Sequence, residues 1–106
     1  MAAVNLNTQE FRNALVEGKT VLVDYWAPWC GYCRRIGPAY EKIAEEYGQQ
    51  LIIAKINIDE EGQLAQQERI EVIPTLVLYK GGQAVASIVA PESKAAIENF
   101  IEENLG

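Results

Sequence analysis

Three apolar runs along the chain have the length and composition of buried β-strands. They lie at residues 20–26, 51–58 and 75–79. Their nearly continuous hydrophobicity is typical of strands that are covered on both faces of a sheet. Two shorter segments, residues 4–6 and 84–89, predict further strands. Gly81 and Gly82 precede the last of these and are a hairpin signal, so the final two strands should pair antiparallel.

Segments with helical periodicity lie between these strands. Asn7, with a glutamate three positions later, is a capping-box pattern, and the helix that it begins should stop at Gly18. A longer amphipathic helix is predicted over residues 30–47. Asp59 is the expected N-cap of a short helix, and Ser93 is the expected N-cap of a last helix with its apolar residues facing inward.

The predicted elements follow one another in the order βαβαβαββα, which is typical of an α/β protein. Strands that are connected through helices favour parallel pairing, whereas the last hairpin must be antiparallel. We therefore predict a mixed five-stranded sheet flanked by four helices, with helices on both faces. A chain of 106 residues without a linker or a repeat is the size of one domain, and we assign residues 1–106 to it.

Composition and charge exclude several classes of function. The chain has no histidine and two cysteines, so it has no imidazole catalyst and cannot complete a histidine-ligated or an all-cysteine zinc site within one chain. Its net charge of -6 argues against binding to nucleic acid or to an anionic membrane. No apolar stretch approaches the roughly 18 residues of a membrane span, and the first residues lack the features of a secretory signal. These observations favour a cytoplasmic protein.

The candidate chemistry is concentrated in the pair Cys30 and Cys33. The pair follows a predicted strand and opens a predicted helix, and in that context the C-x-x-C spacing favours a redox pair over half a zinc site. A purely structural disulfide is the alternative, but closing so small a loop stabilises a fold little. Because Cys30 faces the unpaired N–H groups of the helix start, which favour a thiolate, Cys30 should attack first and Cys33 second.

Two charged residues interrupt apolar runs that should be buried. Asp24 lies within residues 20–26, and burial should raise its pKa unless the carboxyl is paired. Lys55 lies within residues 51–58 and is the candidate partner. We interpret Asp24 as a proton acceptor for Cys33 during the second thiol attack. A satisfied ion pair in the core is the alternative interpretation.

The sequence W-A-P-W-C-G-Y-C at residues 26–33, followed by Pro38 and by I-P-T at residues 73–75, resembles the thioredoxin family over essentially the whole chain. The resemblance implies a thioredoxin fold and a thiol–disulfide oxidoreductase. In that family pattern Cys30 is the attacking thiol and Cys33 the resolving thiol, and the buried acid and its partner correspond to Asp24 and Lys55.

The resemblance also implies a substrate groove and a set of partners. Pro74 should be cis and face the cysteine pair. The residues expected to bind substrate are Trp29, Gly31, Tyr32, Ile73 and Pro74. The expected partners are disulfide-containing proteins and a flavin-dependent thioredoxin reductase, and the protein is expected to be a monomer without a cofactor or a metal of its own.

The chain departs from the family pattern close to the cysteines. Tyr32 stands where thioredoxins usually have proline, and Ala90-Pro91 stands where they commonly have Gly-Ala. Without proline, the Tyr32 N–H is free to donate to the Cys30 sulfur, which would stabilise the thiolate and make the pair more oxidising. Tyr32 also prompts a second interpretation, a glutaredoxin-like enzyme that uses glutathione. A non-catalytic binding module of the same fold and a metal site shared by two chains are also compatible with the sequence.

Overall fold

Five strands and four helices lie along residues 2–105, the part of the chain that the computed structural model describes. The strands are β1 (Val4–Asn5), β2 (Val21–Trp26), β3 (Ile52–Asn57), β4 (Thr75–Lys80) and β5 (Gln83–Val89). The helices are α1 (Thr8–Val16), α2 (Gly31–Tyr47), α3 (Gly62–Gln67) and α4 (Lys94–Leu105). The order predicted from the hydrophobic pattern is confirmed. The end residues of the predicted domain, 1 and 106, lie outside the described residues.

The strands form one mixed sheet in the order β1-β3-β2-β4-β5. β3 pairs in parallel with β1 and β2, whereas β4 pairs antiparallel with β2 and β5, as predicted for the hairpin. β2 lies at the centre of the sheet, and its register places Asp24 directly beside Lys55 of β3 and Leu76 of β4. The two charged residues that interrupt separate apolar runs are therefore neighbours in the sheet.

Helices cover both faces of the sheet, and each face has its own apolar core. On one face, α2 and α4 pack against side chains that include Leu22 and Leu76. On the other face, α1 and α3 pack against side chains that include Val21, Val23 and Tyr25. Successive side chains of β2 point to opposite faces, and because both faces are covered, residues 21–25 are all buried.

Three of the helix ends expected from the sequence are confirmed. Asn7 and Glu10 form a reciprocal capping box at the start of α1. Gly18 follows the end of α1 in the left-handed region, with a φ of 76°. The Ser93 Oγ accepts a hydrogen bond from the Ala96 N–H at 3.1 Å at the start of α4. No helix within residues 2–105 is both long enough and apolar enough to cross a membrane.

The expected N-cap at Asp59 is wrong, because α3 begins two residues later than that cap requires. The residue before α3 is Glu61, and its side chain makes no capping hydrogen bond. The Asp59 carboxylate is engaged elsewhere, since it accepts hydrogen bonds from the Trp29 Nε1 at 3.0 and 3.2 Å. Asp59, which the sequence pattern predicted to be a helix cap, therefore holds the side chain of Trp29, the residue before Cys30.

Candidate active site

Cys30 and Cys33 lie at the start of α2, just beyond the carboxyl end of the central strand. Cys30 has an extended backbone, with φ -84° and ψ 112°, and is the N-cap of the helix. Its Sγ accepts a hydrogen bond from the Cys33 N–H at 3.2 Å, a role that a side-chain oxygen usually fills. The predicted place of Cys30 at the helix start is confirmed. The helix N–H groups carry partial positive charge, which stabilises a negative charge on this sulfur.

The two thiols differ in their exposure. Both cysteines are free; Cys30 is half-buried, whereas Cys33 is buried with 4% of its surface exposed. Burial raises the pKa of Cys33 to about 12, and its hydrogen bond with Cys30 and the charge of Asp24 contribute to the rise. Cys30 is therefore the more accessible of the two sulfurs, and the Cys33 thiol holds its proton more tightly than an exposed cysteine does.

Tyr32 does not form the hydrogen bond to Cys30 that its sequence position indicated. Among residues 2–105, the backbone N–H that donates to Cys30 Sγ is that of Cys33. The expectation of an additional amide donor is therefore wrong. The Tyr32 ring instead packs against the core beneath α2, and its hydroxyl donates to the carbonyl oxygen of Pro91 at 2.9 Å. Tyr32 thus contributes to the site through its side chain.

Asp24 is buried at the centre of the sheet, with 1% of its surface exposed. Its Oδ1 has no hydrogen-bond partner among the described residues. Burial raises the pKa of Asp24 to about 7, although the positive charge of Lys55 opposes part of the rise. The predicted direction is confirmed. A carboxyl that titrates near neutral pH can both accept and release a proton in the cell, which suits general acid–base work.

Lys55 lies beside Asp24 in the sheet but does not form an ion pair with it. Within residues 2–105, the ion pairs closer than 4.0 Å are those of Lys94 with Glu46 and Glu98. The Lys55 Nζ instead lies 4.2 Å from the centroid of the Trp26 ring, a cation–π contact. The interpretation of Asp24 and Lys55 as a satisfied core ion pair is therefore wrong, and Lys55 acts on Asp24 through its charge at longer range.

The residues expected to bind substrate lie around the start of α2 and in the segment before β4. The Ile73–Pro74 peptide bond is cis, as the resemblance implied, and the Ile73 carbonyl oxygen lies 4.0 Å from Cys30 Sγ. Trp29, which directly precedes Cys30 in the chain, is 66% exposed, and Gly31 is exposed in the first turn of α2. The thiol is therefore bordered by the helix start and by the segment before β4.

Side-chain hydrogen bonds join two residues outside the predicted set to members of it. Asp59 holds the Trp29 indole, and Pro91 accepts the hydrogen bond from Tyr32. Both contacts join residues that are at least 30 positions apart, and no local pattern in the sequence shows such a contact. The departure from the family pattern at Pro91 is the one signal that points to this loop.

The arrangement is suited to dithiol–disulfide exchange. It combines an accessible thiol, a second buried thiol within one helical turn and a buried carboxyl of raised pKa. The closing of a four-residue disulfide ring by Cys30 and Cys33 accounts for the C-x-x-C spacing. Within the described residues, no group of three cysteine, aspartate or glutamate side chains is placed to hold a metal ion.

Comparison with known proteins gives the family. The family model for thioredoxin matches residues 2–103. The chain is also 38% identical to thioredoxin 1 of Nostoc sp. over 105 residues, which are 98% of each protein. The chain belongs to the thioredoxin family. As a member of that family with a cysteine pair at the start of α2, it is a thiol–disulfide oxidoreductase, and the fold and function expected from the resemblance are confirmed.

Two further thioredoxins extend this comparison. The structure is similar to that of a mutant thioredoxin from Halobacterium salinarum, with a TM-score of 0.83 and 30% identity over 96% of this chain and 89% of the other. A bifunctional thioredoxin reductase/thioredoxin of Mycobacterium leprae is 42% identical over 87 residues, which are 82% of this chain and 19% of that protein. In that relative, a thioredoxin is named together with its reductase in a single chain.

Proposed function

We propose that Cys30 is the attacking thiol of this oxidoreductase and that Cys33 is its resolving thiol. The observation that carries the proposal is the contrast between the two sulfurs. Cys30 Sγ is half-buried and accepts a helix N–H, so it is reachable and its thiolate is stabilised. Cys33 is buried, and its raised pKa keeps it protonated until the first reaction has taken place.

The proposed reaction is a pair of thiol–disulfide exchanges. In the first, the Cys30 thiolate attacks one sulfur of a protein disulfide, a bond forms between them, and the other substrate sulfur leaves as a thiolate that takes up a proton. In the second, Cys33 loses its proton and attacks Cys30 Sγ. The bond between Cys30 and the substrate breaks, the Cys30–Cys33 disulfide forms, and the second substrate thiol is released. Two electrons pass from the dithiol to the substrate.

Asp24 is the proposed acceptor of the Cys33 proton. Its carboxyl is close enough for its charge to raise the pKa of Cys33, and its own pKa of about 7 leaves a useful fraction ionised at neutral pH. The unpartnered Oδ1 supports this role, because a carboxylate held by structural hydrogen bonds would be a weaker base. Lys55 is the proposed positioning residue, since its positive charge favours the ionised form of Asp24.

The proposed substrate groove consists of the residues around the Cys30 thiol. They are Trp29, Gly31, Tyr32, Ile73 and Pro74. The indole of Trp29 offers a large exposed apolar surface next to the thiol. The Ile73 carbonyl oxygen lies within 4.0 Å of Cys30 Sγ, so a bound substrate sulfur would lie close to this segment of backbone. The groove supports the proposal that extended protein segments are the substrates.

The proposed partners are disulfide-containing proteins and a thioredoxin reductase that restores the dithiol. The reductase/thioredoxin fusion found in a relative supports the second partner, and a flavin-dependent reductase is our expectation. We propose that the protein works in the cytoplasm as a monomer and as one domain. Light scattering of the purified protein tests the monomer, because a dimer would double the mass of the single chain.

The proposed roles of the two thiols, one attacking and one resolving, predict opposite behaviour for two serine variants. Each chemically reduced variant is mixed with insulin as a protein disulfide, and the products are separated without reducing agent. Cys33→Ser should accumulate a covalent adduct with insulin through Cys30, because the resolving thiol is missing. Cys30→Ser should form no adduct and reduce insulin at less than about 1% of the wild-type rate, since losing an essential nucleophile costs orders of magnitude.

The same experiment separates the proposal from competing functions. If Cys30→Ser forms the adduct and Cys33→Ser does not, the two roles are exchanged. Sustained turnover of Cys33→Ser with glutathione and glutathione reductase would instead favour a glutaredoxin-like enzyme. Activity of the Cys30→Ser variant in the organism would favour a binding module. Lys42→Arg, which changes an exposed residue further along α2, is the matched control and should behave as wild type.

A further inference from the structure

Tyr32 is joined to the loop between β5 and α4 by a hydrogen bond that crosses the edge of the active site. We propose that Tyr32 is a specificity-determining residue. Its hydroxyl fixes that loop, residues 90–93, so that the groove beside Cys30 is formed before substrate binds and favours protein disulfides over small ones. This inference rests on the proposed role of Cys30 as the attacking thiol.

The hydrogen bond joins two positions at which the chain departs from the family pattern. The Tyr32 hydroxyl donates to the Pro91 carbonyl oxygen at 2.9 Å, across 59 residues of sequence. The Tyr32 ring packs against the core beneath α2, and Pro91 is buried. Both ends of the hydrogen bond are therefore held by packing, and the bond fixes the position of the loop relative to the start of α2.

The same loop is also attached to the segment that contains Pro74. The Ala90 N–H donates to the Pro74 carbonyl oxygen at 2.9 Å. Ala90 has a φ of 45°, a left-handed conformation that residues other than glycine adopt reluctantly. Such a residue keeps this conformation only where its surroundings hold it. The hydrogen bonds made by Ala90 and Pro91 hold the loop to two different elements, the segment before β4 and the first turn of α2.

Close packing does not join the loop to α2 at this point. A cleft of about 280 Å³ opens along the seam between them. Its lining residues are Tyr32, Arg35, Ile36, Ala39, Glu92 and Ser93. Across this cleft, the hydrogen bond from the Tyr32 hydroxyl to the Pro91 carbonyl oxygen joins the helix start to the loop.

A preformed groove affects large and small disulfides differently. A protein disulfide carries a length of chain on each side of its sulfur atoms, and that chain must lie along the groove walls. Binding against a wall that is already ordered loses less conformational entropy than ordering the wall during binding. A small disulfide reaches the Cys30 thiol with little attached chain and gains less from the wall. Tyr32 therefore favours the protein substrate.

The test removes the hydroxyl alone. Wild type and Tyr32→Phe are chemically reduced, and single-turnover rates are measured over a range of concentrations of insulin and of a small aromatic disulfide, dithiobis(nitrobenzoate). The ratio of the second-order rate constant for insulin to that for the small disulfide should fall about fivefold in Tyr32→Phe, the effect of losing one hydrogen bond. The fall should arise from weaker saturation by insulin, with the limiting rate changed less.

Tyr47→Phe is the matched control, because it removes a tyrosine hydroxyl at the other end of the same helix. It should keep the wild-type ratio. Amide hydrogen exchange supplies a second readout: residues 90–93 should exchange faster in Tyr32→Phe and at the wild-type rate in Tyr47→Phe. An unchanged ratio in Tyr32→Phe overturns the inference, and so does an equal fall for both disulfides. A wild-type protein that reduces neither disulfide overturns the proposed function, and this inference with it.

Discussion

At the scale of single residues, Asp24 makes the free energy of unfolding depend on pH. Burial raises its pKa from 3.8 to about 7, so the folded protein binds the Asp24 proton more tightly than the unfolded chain does. The contribution of Asp24 to the free energy of unfolding is therefore present in full below pH 3.8 and is lost as the pH rises through about 7. Above that pH the free energy of unfolding no longer depends on this group. The total loss is at most about 4 kcal/mol, at 1.36 kcal/mol per pH unit.

The variant Asp24→Asn should lack this loss because its side chain stays neutral at every pH. At pH 8 we expect the variant to be more stable than wild type by about 2 to 4 kcal/mol, and at pH 4 the two should be nearly equal. Urea unfolding at the two pH values measures the difference. Glu45→Gln, which removes a charge from an exposed position, is the control. A difference between Asp24→Asn and wild type that stays constant with pH would contradict the argument.

A site residue could be predicted from the sequence where a local pattern, such as a spacing or a lone charge in an apolar run, marks it. Cys30 and Cys33 were evident from their spacing, and Asp24 from being a lone carboxyl in an apolar run. The position of Lys55 beside Asp24 also follows from pairing the two runs. The direction of the long Lys55 side chain does not follow from the sequence. Its ammonium group lies over the Trp26 ring because an aromatic face is available there.

At the scale of elements, α1 and α3 end in the same motif with different residues. After α1, the Gly18 N–H donates to the Leu15 carbonyl and the Lys19 N–H to the Ala14 carbonyl. After α3, the corresponding donors are Arg69 and Ile70, whose hydrogen bonds have the same spacing. Both ends are Schellman motifs, in which the residue after the cap is left-handed. Gly18 has φ 76° and Arg69 has φ 60°, so only α1 uses the residue that tolerates this conformation.

Exchanging the residue type at these two positions should have opposite effects on stability. Arg69→Gly should stabilise the protein by up to about 1 kcal/mol, because glycine adopts the left-handed conformation without steric strain. The gain is reduced because glycine also gives the unfolded chain more conformational entropy. Gly18→Ala should destabilise it by about 1 kcal/mol, since a Cβ at Gly18 meets nothing within 4 Å and the cost is that of the backbone alone. Chemical denaturation of both variants measures the pair. The same sign for both changes would contradict the assignment of the motifs.

At the scale of the whole molecule, periodicity predicted which elements exist but not how the strands are arranged across the sheet. The element order and the mixed character of the sheet follow from run length, glycine positions and helical spacing. The strand order β1-β3-β2-β4-β5 depends on long-range pairing, which local sequence does not encode. The contact of Tyr32 with Pro91 has the same origin, because it joins the first turn of α2 to the loop between β5 and α4, which only the finished fold brings together.

The central position of β2 predicts that the two apolar cores unfold together. β2 contributes Leu22 to one core and Val23 to the other, so neither core can lose this strand without exposing the other. Ile101→Val and Ile56→Val are matched substitutions, because both residues are 0% exposed and they belong to opposite cores. Each should cost about 0.5 to 1.5 kcal/mol and move the whole transition. Tryptophan fluorescence and circular dichroism should report the same midpoint for each variant. If either substitution shifts one signal and leaves the other in place, the cores unfold separately and the chain does not behave as one domain.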